Sequence, residues 1–197
     1  MKPIMSFINK NNGNEKVLEE CLKMLASLTS IADRSDAVFL IDQLLDFDFI
    51  EIAYGILLNS NTNSKQRLLW LLDNLTLDSD KVWMKIHTEK YLFNAIVDLM
   101  SSNDHNLRLE SLCYMVNFIE MANPELLLTR LNEDKLVLIN LFKGASTVEN
   151  DLTLMTRLLD SIEKMIKWDR SFQFPIDTQF TTLIENSGGF DYLEQMK

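Results

Sequence analysis

An all-α, right-handed superhelix of repeated helical units is the fold this 197-residue chain predicts, and three observations predict it. First, apolar residues recur at helical spacing. In Arg67-Leu-Leu-Trp70-Leu-Leu-Asp-Asn74-Leu75, residues Leu68, Leu71, Leu72 and Leu75 share one stripe at about 100° per residue. Second, the stripe returns at Cys21, Met24, Leu25 and Leu28, at Ser111, Tyr114, Met115 and Phe118, and at Met155, Leu158, Leu159 and Ile162, where only Ser111 breaks the apolar rule. The place of Asn74 passes to Ser27, Asn117 and Ser161, in steps of 47, 43 and 44 residues. Third, a chain that is 47% apolar with 5 Gly and 3 Pro suits long helices with short connections.

A helical period in the forties is that of an armadillo or HEAT solenoid, and the elements in order favour the former. Ile4, Met5, Phe7 and Ile8 predict a short amphipathic helix over residues 3 to 10, ended by Asn11-Asn-Gly13-Asn14. Glu15 to Ala32 form a long helix with Asn14 as N-cap. Helices over Asp36–Leu45 and Phe49–Leu58 follow, then a loop over Asn59–Ser64 and the helix of Trp70. The next triplet covers Asp80–Ile86, Tyr91–Met100 and Asn106–Met121. A third runs from Pro124, tolerated in a first turn, to Leu131, then over Asp134–Phe142 and Glu149–Lys167. After Trp168 a loop reaches Pro175, and Thr178–Glu185 and Phe190–Met196 open one more unit. Three helices per unit predict a single armadillo-repeat domain of about four repeats, incomplete at both ends, with approximate units 1–34, 35–78, 79–122, 123–168 and 176–197. Such ends expose apolar surface unless capped. They predict a polar-modified first helix, end-to-end self-association through Ile4, Phe7 and Ile8, or a fragment of a longer ancestor.

A net charge of −10 argues against nucleic acid as a ligand, since phosphate binding needs clustered Lys and Arg. A basic partner is the natural complement. No apolar run approaches the roughly 18 residues of a membrane span, and Met1-Lys-Pro-Ile-Met-Ser-Phe lacks the apolar core of a signal peptide. A soluble intracellular protein is expected. Cys21 and Cys113 form no metal or redox motif. His87 and His105 lie far apart on turn-like segments without a zinc-ligand spacing. No nucleophile motif or phosphate loop is present, and Gly188-Gly189, with no Lys-Ser or Lys-Thr after it, reads as an interhelical turn. No catalytic residue, metal or cofactor is expected.

Trp70-Leu-Leu-Asp-Asn74 resembles the Trp-x-x-x-Asn pattern of the third helix in armadillo repeats of importin alpha, the nuclear import adaptor family. Leu159-Asp-Ser-Ile-Glu-Lys-Met-Ile166, with Leu183-Ile-Glu-Asn-Ser-Gly188-Gly189-Phe-Asp-Tyr-Leu-Glu194, resembles that family's passage into its last repeat. The likeness runs over about residues 48 to 197. In the family, tryptophans hold the stems of signal-peptide lysines along a concave groove and asparagines hold the peptide backbone. Indole faces attract cations and an asparagine both donates and accepts, so the arrangement is chemically sound. The resemblance implies a peptide-binding set of Trp70, Asn74, Glu110 and Asn117, a basic peptide or protein cargo, and residence in cytoplasm and nucleus. Importin beta or an export receptor would be further partners, although no basic importin-beta-binding segment is seen.

Departures from the pattern open an alternative. Lys23, Cys113 and Arg157 stand at the Trp70 position of the other repeats, and Arg67 lies where an acid would be usual. A degenerate armadillo interaction scaffold without cargo binding fits these substitutions. On this view Trp70 packs between repeats, while Ser27 and Ser161 are ordinary polar positions. Trp83 and Trp168 lie outside the repeated position and read as packing residues.

Overall fold

The computed structural model describes Ile8 and residues 14–31, 34–148 and 150–195. They form twelve α-helices: α1 (Glu15–Ile31), α2 (Arg34–Leu45), α3 (Phe49–Asn59), α4 (Thr62–Asp78), α5 (Asp80–Thr88), α6 (Lys90–Leu99), α7 (His105–Glu120), α8 (Pro124–Glu133), α9 (Leu136–Ala145), α10 (Leu152–Phe172), α11 (Phe180–Asn186) and α12 (Gly189–Gln195). The helix expected over residues 3 to 10 lies outside the described residues except for Ile8, which is helical and buried.

The helices stack in ladders that recur with the period of the sequence. The long helices α1, α4, α7 and α10 each pack on the next. A second ladder runs α3, α6, α9, α12. In a third, α5 is tied to α8 by an Arg130–His87 hydrogen bond, and α8 packs on α11. The chain therefore cycles through three helices per unit, and α1 occupies a third-helix place. One continuous core results, in which Leu68, Leu71, Leu72 and Leu75 of α4 are all buried, as their spacing predicts.

Local chemistry accounts for the helix starts. Asn61 accepts from Ser64 N at 2.9 Å, Asp104 from Leu107 N at 3.0 Å, Asn123 from Leu126 N at 3.1 Å and Asp151 from Leu154 N at 2.9 Å. Each satisfies an amide that the first turn leaves unpaired. These caps correct two boundaries expected from sequence. The loop assigned to 59–64 gives way to helix at Thr62, and the fourth long helix, α10, begins at Leu152, after its Asp151 cap, and not at Glu149. The helix expected at Asp134 begins at Leu136, because Asp134 Oδ1 accepts from Leu136 N at 3.0 Å ahead of the first turn.

The largest correction is at the end of α10, which continues through Trp168 to Phe172 where a loop was expected. Asp169, buried, accepts from Phe180 N at 2.9 Å, Thr181 N at 2.7 Å and Thr181 Oγ1 at 2.6 Å, so α10 supplies the cap of α11. Trp168 lies 5.5 Å from the Phe180 ring. Gln173, at φ 51°, then ends the helix.

Two glycines mark where elements approach too closely for a side chain. A Cβ on Gly144 would stand 2.6 Å from the Met100 carbonyl oxygen, where α9 crosses the end of α6. Gly188 turns the chain at φ 77°, and a Cβ on Gly189 would meet the Phe142 ring and Ile184 Cγ2 at 2.6 Å. The Gly188-Gly189 pair is thus an interhelical turn pressed against α9.

Candidate functional site

The residues singled out in the sequence lie along the long-helix ladder. Asn74 Nδ2, on α4, approaches Ala26 O at 3.1 Å, Thr29 Oγ1 at 3.2 Å and Ser30 Oγ at 2.9 Å. An amide has two N–H donors, and both face the last turns of α1. One junction on, Asn117 of α7 donates from Nδ2 to Asp73 Oδ1 on α4. Asn117 is 2% exposed, and its Oδ1 has no hydrogen-bond partner among the described residues. Both asparagines therefore spend donor capacity on the preceding long helix. Ser161 Oγ, the corresponding group on α10, is also buried without a partner among the described residues.

A group of charges gathers at the α4–α7 junction. Burial pushes the Asp73 carboxyl up to about 6; Asn117 and Arg157 work against this and Glu120 adds to it. Burial, and then the charge of Asp73, hold the Glu110 carboxyl above its usual range, while Arg67 offsets part of the rise. Cys113 is half-buried, and burial with the charges of Glu110 and Asp73 pushes its thiol up to about 11, which makes it an inert packing group. Arg67, which would repel a lysine, thus partly neutralises Glu110. Arg157 is paired with Glu120 at 3.0 Å, and Lys164 donates to Glu120 O while lying 5.0 Å from the Trp168 ring centroid.

The structure brings Glu110 and Asn117 to one junction and leaves Asn74 at the junction before it. Trp70 is half-buried against the core. With Cys113 at the matching place on α7, an indole wall stands on one side only. Sequence reasoning missed Asp73, the bonding partner of Asn117. Its offset of 44 residues, one repeat length, is the signal that could have found it.

The two tryptophans outside the repeated position are packing residues. Trp83 is buried, donates from Nε1 to Phe118 O at 2.8 Å and stacks on His87 at 5.1 Å. Below it, buried Arg130 donates to His87 O and lies 5.0 Å from the Phe93 centroid, with Glu133 at 3.8 Å. Burial and then the Arg130 charge hold the imidazole below its usual value. His87 thus belongs to a structural joint between α5 and α8. Among the described residues no group of three or more His, Cys, Asp or Glu could hold a metal ion, and no helix is long and apolar enough to cross a membrane.

Two solved structures share this arrangement of helices. An engineered protein of the Northeast Structural Genomics Consortium superposes with a TM-score of 0.52 at 15% identity, covering 100% of this chain and 89% of that one. A designed armadillo repeat protein in complex with the peptide (KR)4 gives 0.50 at 12% identity, over 98% and 90%. The fold is of the armadillo type. Identities this low show the fold alone, and they do not carry membership of the importin alpha family. No family profile and no curated protein matches the chain.

Proposed function

We propose that this armadillo solenoid is a protein–protein interaction scaffold whose long-helix face is closed to the backbone-holding role that the Trp-x-x-x-Asn resemblance implies. One observation carries the reading: the side-chain donors of Asn74 and Asn117 are bonded to the neighbouring long helix. A peptide drawing on these donors would compete with those bonds, and a buried donor or acceptor left unmade costs about 1–3 kcal/mol.

A second reading, a nuclear-import-adaptor-like protein binding basic localisation peptides at Trp70, Asn74, Glu110 and Asn117, draws support from charge. The Asp73 charge is close enough to Glu110 to raise its proton affinity, and the chain carries −10 overall. A lysine or arginine head would relieve that repulsion. The designed armadillo protein of similar fold is in complex with the peptide (KR)4. Importin beta or an export receptor, and residence in cytoplasm and nucleus, belong to this second reading.

Fluorescence anisotropy of labelled (KR)4, with wild type, Trp70→Ala and Asn117→Ala, separates the two. The scaffold reading expects binding that is absent, or that is weak, fades with salt and is the same in all three proteins. Saturable binding abolished by either substitution would replace it with the adaptor reading.

A further inference from the structure

The two ends of the long-helix ladder expose different stripes, and each matches what the other end lacks. On the first stripe, Met24 and Leu28 of α1 are 42% and 46% exposed. Their counterparts one, two and three repeats on, Leu71 and Leu75, Tyr114 and Phe118, Leu158 and Ile162, are all buried. What separates α1 from those helices is its neighbours. Each of α4, α7 and α10 follows a first and a second helix of its own unit and a preceding long helix, whereas among the described residues the helices that α1 packs on, principally α4 and α2, come after it.

The second stripe fails at the opposite end. Leu25, Leu72 and Met115 are buried on α1, α4 and α7, each of which has a following long helix stacked on it. Leu159 holds the same place on α10 and is 40% exposed. The helices after α10 are α11 and α12, a first and a second helix with no third among the described residues.

We propose that these ends recognise each other, so that α1 of one copy occupies the third-helix place beyond α11 and α12 of another. Met24 and Leu28 would then be covered by a first and second helix, as their counterparts are, and Leu159 by a long helix, as Leu25 is by α4. The contact repeats one that the chain already makes at α1–α4, α4–α7 and α7–α10. It is heterologous, so copies add head to tail and the assembly does not close at two. Each copy carries −10, so long-range repulsion opposes growth and added salt favours it. The proposal is independent of which ligand the long-helix face takes.

Sedimentation velocity of the full chain tests this, with Leu28→Glu and Leu159→Glu as blocked-end variants whose helicity is checked by circular dichroism. Wild type is expected to exceed twice the monomer mass as concentration rises, more so at high salt. Each variant alone stays monomeric, because one end of every contact is blocked. An equal mixture forms dimers and nothing larger, because one sound end of each kind remains. A wild type that stays monomeric at every concentration and salt overturns the proposal. So does association abolished by Leu28→Glu and untouched by Leu159→Glu, which would mean a symmetric α1–α1 contact. A mixture of folded variants that remains monomeric overturns it as well. If a glutamate variant loses helicity, Met24→Ser and Leu159→Ser take its place in the same scheme.

Discussion

The Asn117 side chain, on α7, donates its amide N–H to Asp73 Oδ1 on α4, and that bond holds a carboxyl whose proton affinity burial has raised to about 6. The folded state therefore keeps a proton that the unfolded chain, titrating near 3.8, has already released. Stability from this group is fully present below the unfolded value and is lost as pH rises through about 6. At one unit per 1.36 kcal/mol, the loss is at most about 3 kcal/mol. Asp73→Asn removes it while keeping an acceptor for Asn117. The variant should melt above wild type at pH 8 and show less difference at pH 4; a lower melting temperature at pH 8 would refute the account.

His87 works in the opposite direction. Burial and Arg130 depress its folded value, so stability is present above the unfolded value of about 6.5 and is lost as pH falls through the folded one. Arg130, Glu133 and Lys90 all face it, and the depression reflects their sum with burial. His87→Phe, which keeps an aromatic ring against Trp83, should flatten the acid limb of the stability profile below pH 6.5. Urea titrations of both proteins across that window give the answer, and an unchanged acid limb would count against the assignment.

Backbone proximity makes Gly144 the more sensitive of the helix-interior glycines. A Cβ there meets the Met100 carbonyl oxygen at 2.6 Å, and α9 and α6 must separate to admit it. Gly144→Ala should lower stability by about 1–3 kcal/mol despite the better helix propensity of alanine. Gly55 has nothing within 4 Å of the same atom, so Gly55→Ala should be neutral or stabilising. Thermal melts should place Gly144→Ala below wild type and Gly55→Ala at or above it.

The two tryptophans at the centre of the chain should differ in the same kind of test. Trp83→Phe removes a buried indole donor to Phe118 O and leaves space around it, a loss of about 2–4 kcal/mol. Trp70→Ala deletes more atoms, but from a half-buried position at the surface of the core. Its cost should be smaller than that of Trp83→Ala, as read from midpoints in urea at a common slope. The reverse order would make Trp70 the inter-repeat packing residue.

Much of the fold was legible because it is local. The 3.6-residue spacing of Leu68, Leu71, Leu72 and Leu75 sets which face of α4 is buried, and Asp104 and Asn123 start helices through bonds that span three residues. The repeat of the stripe at steps of 43 to 47 residues implies units that stack, since none can bury its apolar face alone. Some starts were misplaced by a few residues even though their caps, Asn61, Asp134 and Asp151, are local, and the largest failure came where a distant residue intervened. The polar run after Trp168 reads as a loop until Asp169 is seen capping α11 from eleven and twelve residues away.

The site was less legible, for the same reason. Sequence placed Trp70, Asn74, Glu110 and Asn117 on equivalent helices, but an asparagine on a helix face serves a ligand or a neighbour with equal chemistry. Only the approach of α1 to α4 and of α4 to α7 decided that the amides of Asn74 and Asn117 bond across the junctions. The exposure of Met24, Leu28 and Leu159 is likewise invisible in the sequence, where they match buried residues. Sequence alone thus determined the helices, their apolar stripes and the period of the solenoid, which follow from spacing along one chain. Tertiary structure decided which polar groups are already bonded and which apolar stripes stay uncovered, because both depend on residues more than forty positions apart.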